Sequence, residues 1–219
     1  MKRVIYFIIW PVILLPAIYF AMVWNKLPEK VVMQYGLQGE PSRYGDKTEF
    51  LVLNIFLVVL NIGMFLLISN AYRLDPKKFA AENKERLQRM AFIISIFIAA
   101  LQMVIIYSTL KSQLTFNLNY VYAGVGLLFA AIGNYMPNLK PNYFAGFRVP
   151  WTLENEDIWR KTHLLAGKLW FAGGLLIAVV CLFTPTLFAS IFFGAVILII
   201  MIIPGVFSYK LYKKQKIEA

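Results

Sequence analysis

The sequence predicts an all-α polytopic membrane protein: six transmembrane helices, both termini cytoplasmic, a small extracytoplasmic β cap, and a cytoplasmic loop and interfacial helix between helices four and five. Three observations predict this class. Of the 219 residues, 60% are hydrophobic and the mean hydropathy is +0.65, which excludes an ordinary soluble domain. Several uncharged apolar runs reach the roughly 20 residues needed to cross a hydrocarbon core. Lysine and arginine then cluster beside those runs, and an N-in arrangement puts 17 of the 22 on the cytoplasmic side, as the positive-inside bias requires. The net charge of +11 therefore reads as anchoring against anionic membrane lipids, and no direct nucleic-acid binding is expected.

Region 1–110 holds the first three spans. Lys2 and Arg3 precede the uncharged run Val4 to Trp24, about 30 Å of helix. It is too long for a typical signal-peptide core and lacks an A-x-A site, so it is expected to be a span. Pro11 and Pro16 should bend it. The mixed-charge loop 25–49 is extracytoplasmic, with turn chemistry at Gly39, Pro41 and Gly45 and a short strand over Val31, Val32, Met33 and Tyr35. Phe50 to Ala71 is the second span; Asn54 and Asn61, seven apart on one face, should bond between helices. Asp75 before Pro76 reads as an N-cap. The charged helix 75–89, with Glu82–Arg86 and Glu85–Arg89 at i,i+4, runs into the third span, Met90 to Leu110.

Region 111–219 opens with an alternation over Lys111 to Asn119 that fits a strand. That strand and the one in loop 25–49 share the outer face, and their pairing would make the β cap. The fourth span, Tyr120 to Met136, is short and rich in small residues (Ala123, Gly124, Gly126, Ala130, Ala131, Gly133) that allow close helix packing. Leu164 to Phe183 is the fifth span, loosened by Gly173 and Gly174; Leu187 to Phe207 is the sixth, followed by a basic tail. Cys181 lies within the fifth run and reads as a buried structural thiol.

Between spans four and five lies the loop 133–163, the densest polar stretch of this half. Pro137, Pro141 and Pro150 hold their preceding residues extended, so Asn138 to Val149 should run as turns. Thr152 is expected to cap a helix whose first turns carry Glu154, Glu156 and Asp157 and then Arg160 and Lys161, in the order the helix dipole favours. Trp151, Trp159 and Trp170 are expected at headgroup depth.

Catalytic chemistry finds little support. No Asp, Glu, Lys or Arg falls in the middle of a span, where an intramembrane enzyme or a proton-coupled pump would need one. His163, the single histidine, could act with Glu156, Asp157 or Arg148 at the surface, since Glu156, Arg160 and His163 share a helix side. A lone histidine is more often structural. No metal or phosphate-loop signature occurs, and no catalytic residue, metal site or cofactor is expected. A small transporter or exporter of peptide or lipid-like substrates is the alternative reading; the sequence has no evident inverted repeat to support it.

The loop also carries a resemblance. Gly133-Asn134-Tyr135-Met136-Pro137, Lys140-Pro141-Asn142, Gly146, Arg148, Pro150-Trp151-Thr152 and Trp159-Arg160-Lys161-Thr162-His163 resemble the signature of the SdpI family, bacterial membrane proteins named for immunity against the sporulation-delaying peptide toxin. The stretch from Leu27-Pro28 to Lys47 resembles the small domain of unknown function that precedes this core in many members. Gln34 stands beside Tyr35 where that domain commonly has a histidine, which weakens any histidine site on the outer face.

The resemblance implies a bacterial cell-membrane protein that confers resistance to a secreted antimicrobial peptide. It also implies signal transduction, in which toxin engagement holds a small DNA-binding autorepressor at the membrane. The outer candidates are then Pro28, Gln34, Tyr35, Gly39 and Pro41. The motif candidates are Asn134, Tyr135, Pro137, Lys140, Asn142, Tyr143, Gly146, Arg148, Pro150, Trp151, Thr152, Trp159 and His163. Of these, Lys140, Asn142, Tyr143, Arg148 and Trp151 are expected to face a cytoplasmic partner, while Asn134, Tyr135 and Trp159 lean toward structure.

Overall fold

The computed structural model describes residues 3–111 and 117–218. The apolar runs form long helices, since a backbone among apolar side chains can satisfy its N–H and C=O groups only internally. These are α1 (Arg3–Val23), α2 (Lys47–Leu74), α3 (Ala80–Leu110), α4 (Leu118–Tyr135), α6 (Glu156–Phe183) and α7 (Thr186–Glu218), with the short α5 (Pro150–Glu154) just before α6. Five of them, α1 (counted from Tyr6 to Lys26), α2, α3, α6 and α7, are long and apolar enough to cross a membrane. The protein is a membrane protein. The sixth expected span, α4, is helical but is not among the five: Asn119, Tyr120 and Tyr122 dilute one end of its 18 residues and Asn134 and Tyr135 the other.

The helices alternate direction and pack as two units, α1–α2–α3 and α4–α6–α7. In the first, Phe20 meets Phe50 edge-on near one end, Trp10 meets Phe65 edge-on, and Tyr6 bonds Ser69 (3.0 Å) near the other. The expected amide contacts are present. Asn61 Nδ2 donates to Ser95 O (3.1 Å), and Gln102 Nε2 donates to Asn54 O and Oδ1 (both 3.1 Å). The second unit is held differently. Gly126 and Gly133 of α4 face Gly174 and Gly167 of α6 so closely that a Cβ on Gly126 would lie 2.6 Å from Gly174 O, and one on Gly133 2.6 Å from Phe171 N. Gly174 therefore serves as a packing surface and does not loosen the helix.

One end of the bundle carries an antiparallel hairpin, β1 (Lys30–Tyr35) and β2 (Pro41–Asp46), with Val31 opposite Gly45 and Lys30 opposite Asp46. Val31 is buried against Leu27 and Phe50, which fixes the face that β1 turns inward. The turn closes with Gly36 N donating to Glu40 O (2.8 Å) and with Gly39 at φ 85°, a conformation glycine adopts without steric cost. The hairpin rests on α7, where Ser190 Oγ donates to Leu37 O (2.8 Å).

This corrects the expected cap. The strand in loop 25–49 is present, but it pairs with a second strand of the same loop. Of the other expected strand, residues 112–116 lie outside the described residues. Asn117 Oδ1 accepts from Asn119 N (2.9 Å) and caps α4, so Leu118 to Tyr120 are helical. At the opposite bundle end, α3 begins at Ala80, not at Asp75; Asp75 accepts from Lys77 N (3.0 Å) in the turn ahead of it. Glu85 and Arg89 form the expected ion pair, while Arg86 bonds the backbone oxygen of Glu82.

Candidate functional site

The loop between α4 and α6 is wound around the first two turns of α6. Pro137 begins it inside a 3₁₀ turn (Met136–Asn138) and packs on Gly167, where a Cβ would lie 2.6 Å from its ring. Asn142, fully buried, builds the next bend: Oδ1 accepts from Phe144 N (2.9 Å) and Ala145 N (2.7 Å), and Nδ2 donates to Lys140 O (2.8 Å). Thr152, also fully buried, closes the bend before α5. Its hydroxyl accepts from Val149 N (3.1 Å) and lies 2.8 Å from Phe147 O and 2.9 Å from Val149 O, one of which takes its proton. Asn155, not Thr152, caps α6, accepting from Asp157 N and Ile158 N. Glu156 and Asp157 follow in the first turn, as the dipole favours.

Trp159 and His163 form the hub. Their rings stack one turn apart at 3.9 Å and 18°. Trp159 is 1% exposed and its Nε1 donates to Leu139 O (2.7 Å), so its ring is packed within the protein and does not face lipid. His163 is fully buried. Phe147 N donates to its Nε2 (3.1 Å), which leaves Nδ1 to carry the proton toward Trp159 O (2.9 Å). Both ring nitrogens are thus engaged in a neutral imidazole. Gly146, at φ 104°, passes against Nε2, and any Cβ there would overlap the imidazole. Glu156 pairs instead with Lys78 (2.6 Å) and Arg160 with Asp157 (3.1 Å), so these side chains and His163 do not converge on a reaction centre.

Three outside elements hold the loop. Asn83 of α3, fully buried, exchanges two hydrogen bonds with the Lys140 backbone: Nδ2 to Lys140 O (3.1 Å) and Lys140 N to Oδ1 (3.0 Å). From the α2–α3 turn, Asp75 Oδ2 accepts from Tyr143 N (3.3 Å) and Lys77 Nζ donates to Leu153 O (2.8 Å). On α7, Trp151 Nε1 donates to Ser208 Oγ (3.1 Å) and its ring stacks on Tyr212, while Asn155 Nδ2 donates to Gln215 Oε1 (2.9 Å). The sequence reading missed Asn83, Lys77 and Ser208. A signal existed for the first: Asn83, Leu87 and Met90 lie on one helical face, the buried one.

The motif residues therefore separate. Asn142, Thr152, Trp159 and His163 are interior, which removes Asn142 from the expected partner face. Trp151 is half-buried against α7, and Tyr135 packs on the Trp159 cluster. Asn134, Lys140, Tyr143, Arg148 and Pro150 are exposed. Arg148 folds back to donate to Tyr143 O, and Lys77 Nζ lies 5.3 Å from the Tyr143 ring centre. Beside this face a cavity of about 440 Å³ is lined by Arg86, Lys140 and Arg160, by Glu156 and Asp157, and by Pro137 and Pro141. At the hairpin end, Gln34 is exposed opposite Arg43, Tyr35 pairs with Pro41, Gly39 abuts Thr186, and Pro28 is half-buried just before β1.

Comparison with known proteins gives three matches. The SdpI/YfhL protein family matches residues 138–208, and a domain of unknown function, DUF1648, matches residues 12–59. The immunity protein SdpI of Bacillus subtilis (strain 168) is 27% identical over 198 residues, covering 88% of each chain. No solved structure matches. The resemblance read from the loop motif and from the segment after the first span is borne out.

Proposed function

From the SdpI-family core and the DUF1648 segment that precedes it, we propose that this chain is a multi-pass cell-membrane immunity protein, both termini cytoplasmic, that protects its host from a secreted membrane-active peptide. The single observation that carries this reading is the likeness to the B. subtilis immunity protein along 88% of the chain. The α1–α3 unit and its hairpin meet the peptide at the outer face. The exposed face of Lys140, Tyr143 and Arg148 meets a cytoplasmic protein, a small DNA-binding repressor in the signalling form of the reading. What supports coupling between the two is the lashing of the motif loop to α3, the α2–α3 turn, α6 and α7: a shift of α3 against α6 pulls on the loop. Side-chain charge on the loop face is accessible for recognition, whereas the buried histidine orders the backbone beneath it.

The test is survival of a sensitive strain challenged with synthetic sporulation-delaying peptide while expressing the wild type, an Arg148→Ala form, or nothing. Protection by the wild type is expected. Arg148→Ala should retain protection and lose induction of a reporter controlled by the repressor. A well-inserted wild type that gives no protection overturns the reading.

A further inference from the structure

The cavity of about 440 Å³ beside the motif loop lies between α3 and α6, and two anchoring contacts build it. Asn83 holds the Lys140 backbone against α3, one helical turn from Arg86 and on the same side of that helix. Trp159 Nε1 holds Leu139 O against α6, and Arg160 is the next residue of that helix. Arg86, Lys140 and Arg160, from three separate elements, are thereby brought to one cavity. Its two acids are already matched: Glu156 pairs with Lys78 (2.6 Å), and Asp157 pairs with Arg160 (3.1 Å) and Lys161 (2.6 Å). Arg86 and Lys140 make no ion pair among the described residues. Arg86 spends one N–H on Glu82 O (2.8 Å), and Lys140 Nζ lies 5.6 Å from the Phe79 ring centre. Arg86 is half-buried, and a partly desolvated cation without a counter-charge favours the arrival of an anion.

Depth and lining narrow the anion. From Arg86 to Leu110 on α3, and from Arg160 to Phe183 on α6, the helix rise of about 1.5 Å per residue covers about 35 Å. A hydrocarbon core is about 30 Å thick, and the headgroups extend it to about 40–45 Å. With the hairpin ends of these helices at one boundary of the core, both arginines stand among the headgroups of the other. Basic pockets between helices at that depth suit lipid phosphates, which arginine grips through paired N–H groups. The remaining wall is apolar, formed by Pro137, Leu139 and Pro141, and suits the glycerol end of a lipid better than a free, fully hydrated anion. We infer that the cavity holds the phosphate of an anionic lipid headgroup, clamped by Arg86, Lys140 and Arg160. The lipid then bridges the two three-helix units beside the Asn83 contact. This goes beyond the immunity reading and does not rest on it.

The experiment titrates phosphatidylglycerol into the full chain in neutral detergent and counts bound lipid by native mass spectrometry. The wild type should retain one tightly bound molecule. Arg86→Gln with Lys140→Gln should weaken that binding about twenty- to thirty-fold, or about five-fold per cation, the worth of one basic side chain at an anionic surface. Lys210→Gln with Lys213→Gln removes two exposed cations of α7 outside the cavity and should weaken it less than about two-fold. Arg86→Lys with Lys140→Arg keeps both charges and should stay within about three-fold of the wild type, which separates loss of charge from loss of fold. Equal losses in the two glutamine pairs would reveal only diffuse attraction to a basic surface and overturn the inference. Phosphatidylcholine bound as tightly as phosphatidylglycerol would overturn it too, as would inorganic phosphate bound as tightly as the lipid, the mark of a soluble-anion site.

Discussion

The two three-helix units are assembled from opposite materials. In α1–α2–α3 the helices are spaced by aromatic rings and bridged by amides, an apolar cleft of about 300 Å³ opens between Phe20 of α1 and Ile55 of α2, and Asn61, Ser95 and Gln102 each keep one buried polar atom without a partner. In α4–α6–α7 glycine lies on glycine and backbones touch; Thr152, Trp159 and His163 find partners for their ring nitrogens and hydroxyl, while Asn119 Oδ1 and Thr162 Oγ1 are buried without one. The second unit is suited to hold a loop in one shape, and that loop carries the exposed residues. Close backbone packing gains dispersion at many atoms and tolerates no added volume; an amide-bridged, partly open unit tolerates change because its contacts are already incomplete.

The strongest way to break this contrast is a large residue at the glycine contact. Gly174→Leu should cost at least about 3 kcal/mol and abolish the folded state in detergent, read as loss of a monodisperse peak and of cooperative thermal unfolding. Retention of a wild-type transition would mean that α4 and α6 are not in backbone contact.

Next in size is the hub. Gly146→Ala forces a side chain into a left-handed conformation against the imidazole and should cost about 1–3 kcal/mol. His163→Phe leaves Phe147 N–H without its acceptor and should cost about the same. Both are measured by thermal unfolding, and the pair should be less than additive because each disturbs the same contact.

Asn83→Leu separates the loop from α3 by removing two hydrogen bonds to the Lys140 backbone. A cost of about 1–2 kcal/mol is expected, with faster amide exchange over residues 138–149 and unchanged protection in α6. Uniform loss of protection throughout would show that Asn83 supports the whole bundle.

The smallest effect belongs to the open unit. Gln102→Leu removes the unpartnered Oε1 but also takes the donor from buried Asn54 Oδ1, and these opposed effects should leave stability within about 1 kcal/mol of the wild type. A loss as large as that at Gly174 would erase the contrast between the units.

Much of this molecule was legible before any tertiary contact was known. Runs of apolar residues longer than a bilayer is thick have one way to satisfy their backbones, so the long helices follow from composition and length alone. The prolines at 137, 141 and 150 remove donors and block helical backbone before them, so a turn-rich loop follows locally as well. The seven-residue spacing of Asn54 and Asn61 put both on one face, and a buried amide has to find a partner, so the interhelical bonding was readable though the partners were not. The positive bias of one set of segments agrees with the bundle end where the motif loop and the end of α7 lie.

Other features needed partners far away in the chain. Pro41 to Asp46 has no strand pattern of its own and becomes β2 only because β1 offers it a ladder. His163 reads in sequence like a candidate base on a polar helix turn; a loop with glycine at position 146 buries it and uses both its nitrogens. Asn142 reads like an exposed polar residue, and is interior because three backbone groups of its own loop converge on it. Asp75 reads like a helix cap, and turns instead to the backbone of Tyr143. The division has one physical cause: backbone satisfaction in an apolar medium is local and can be read from a window of residues, whereas the pairing of a polar side chain depends on which distant backbone the packing brings within about 3 Å.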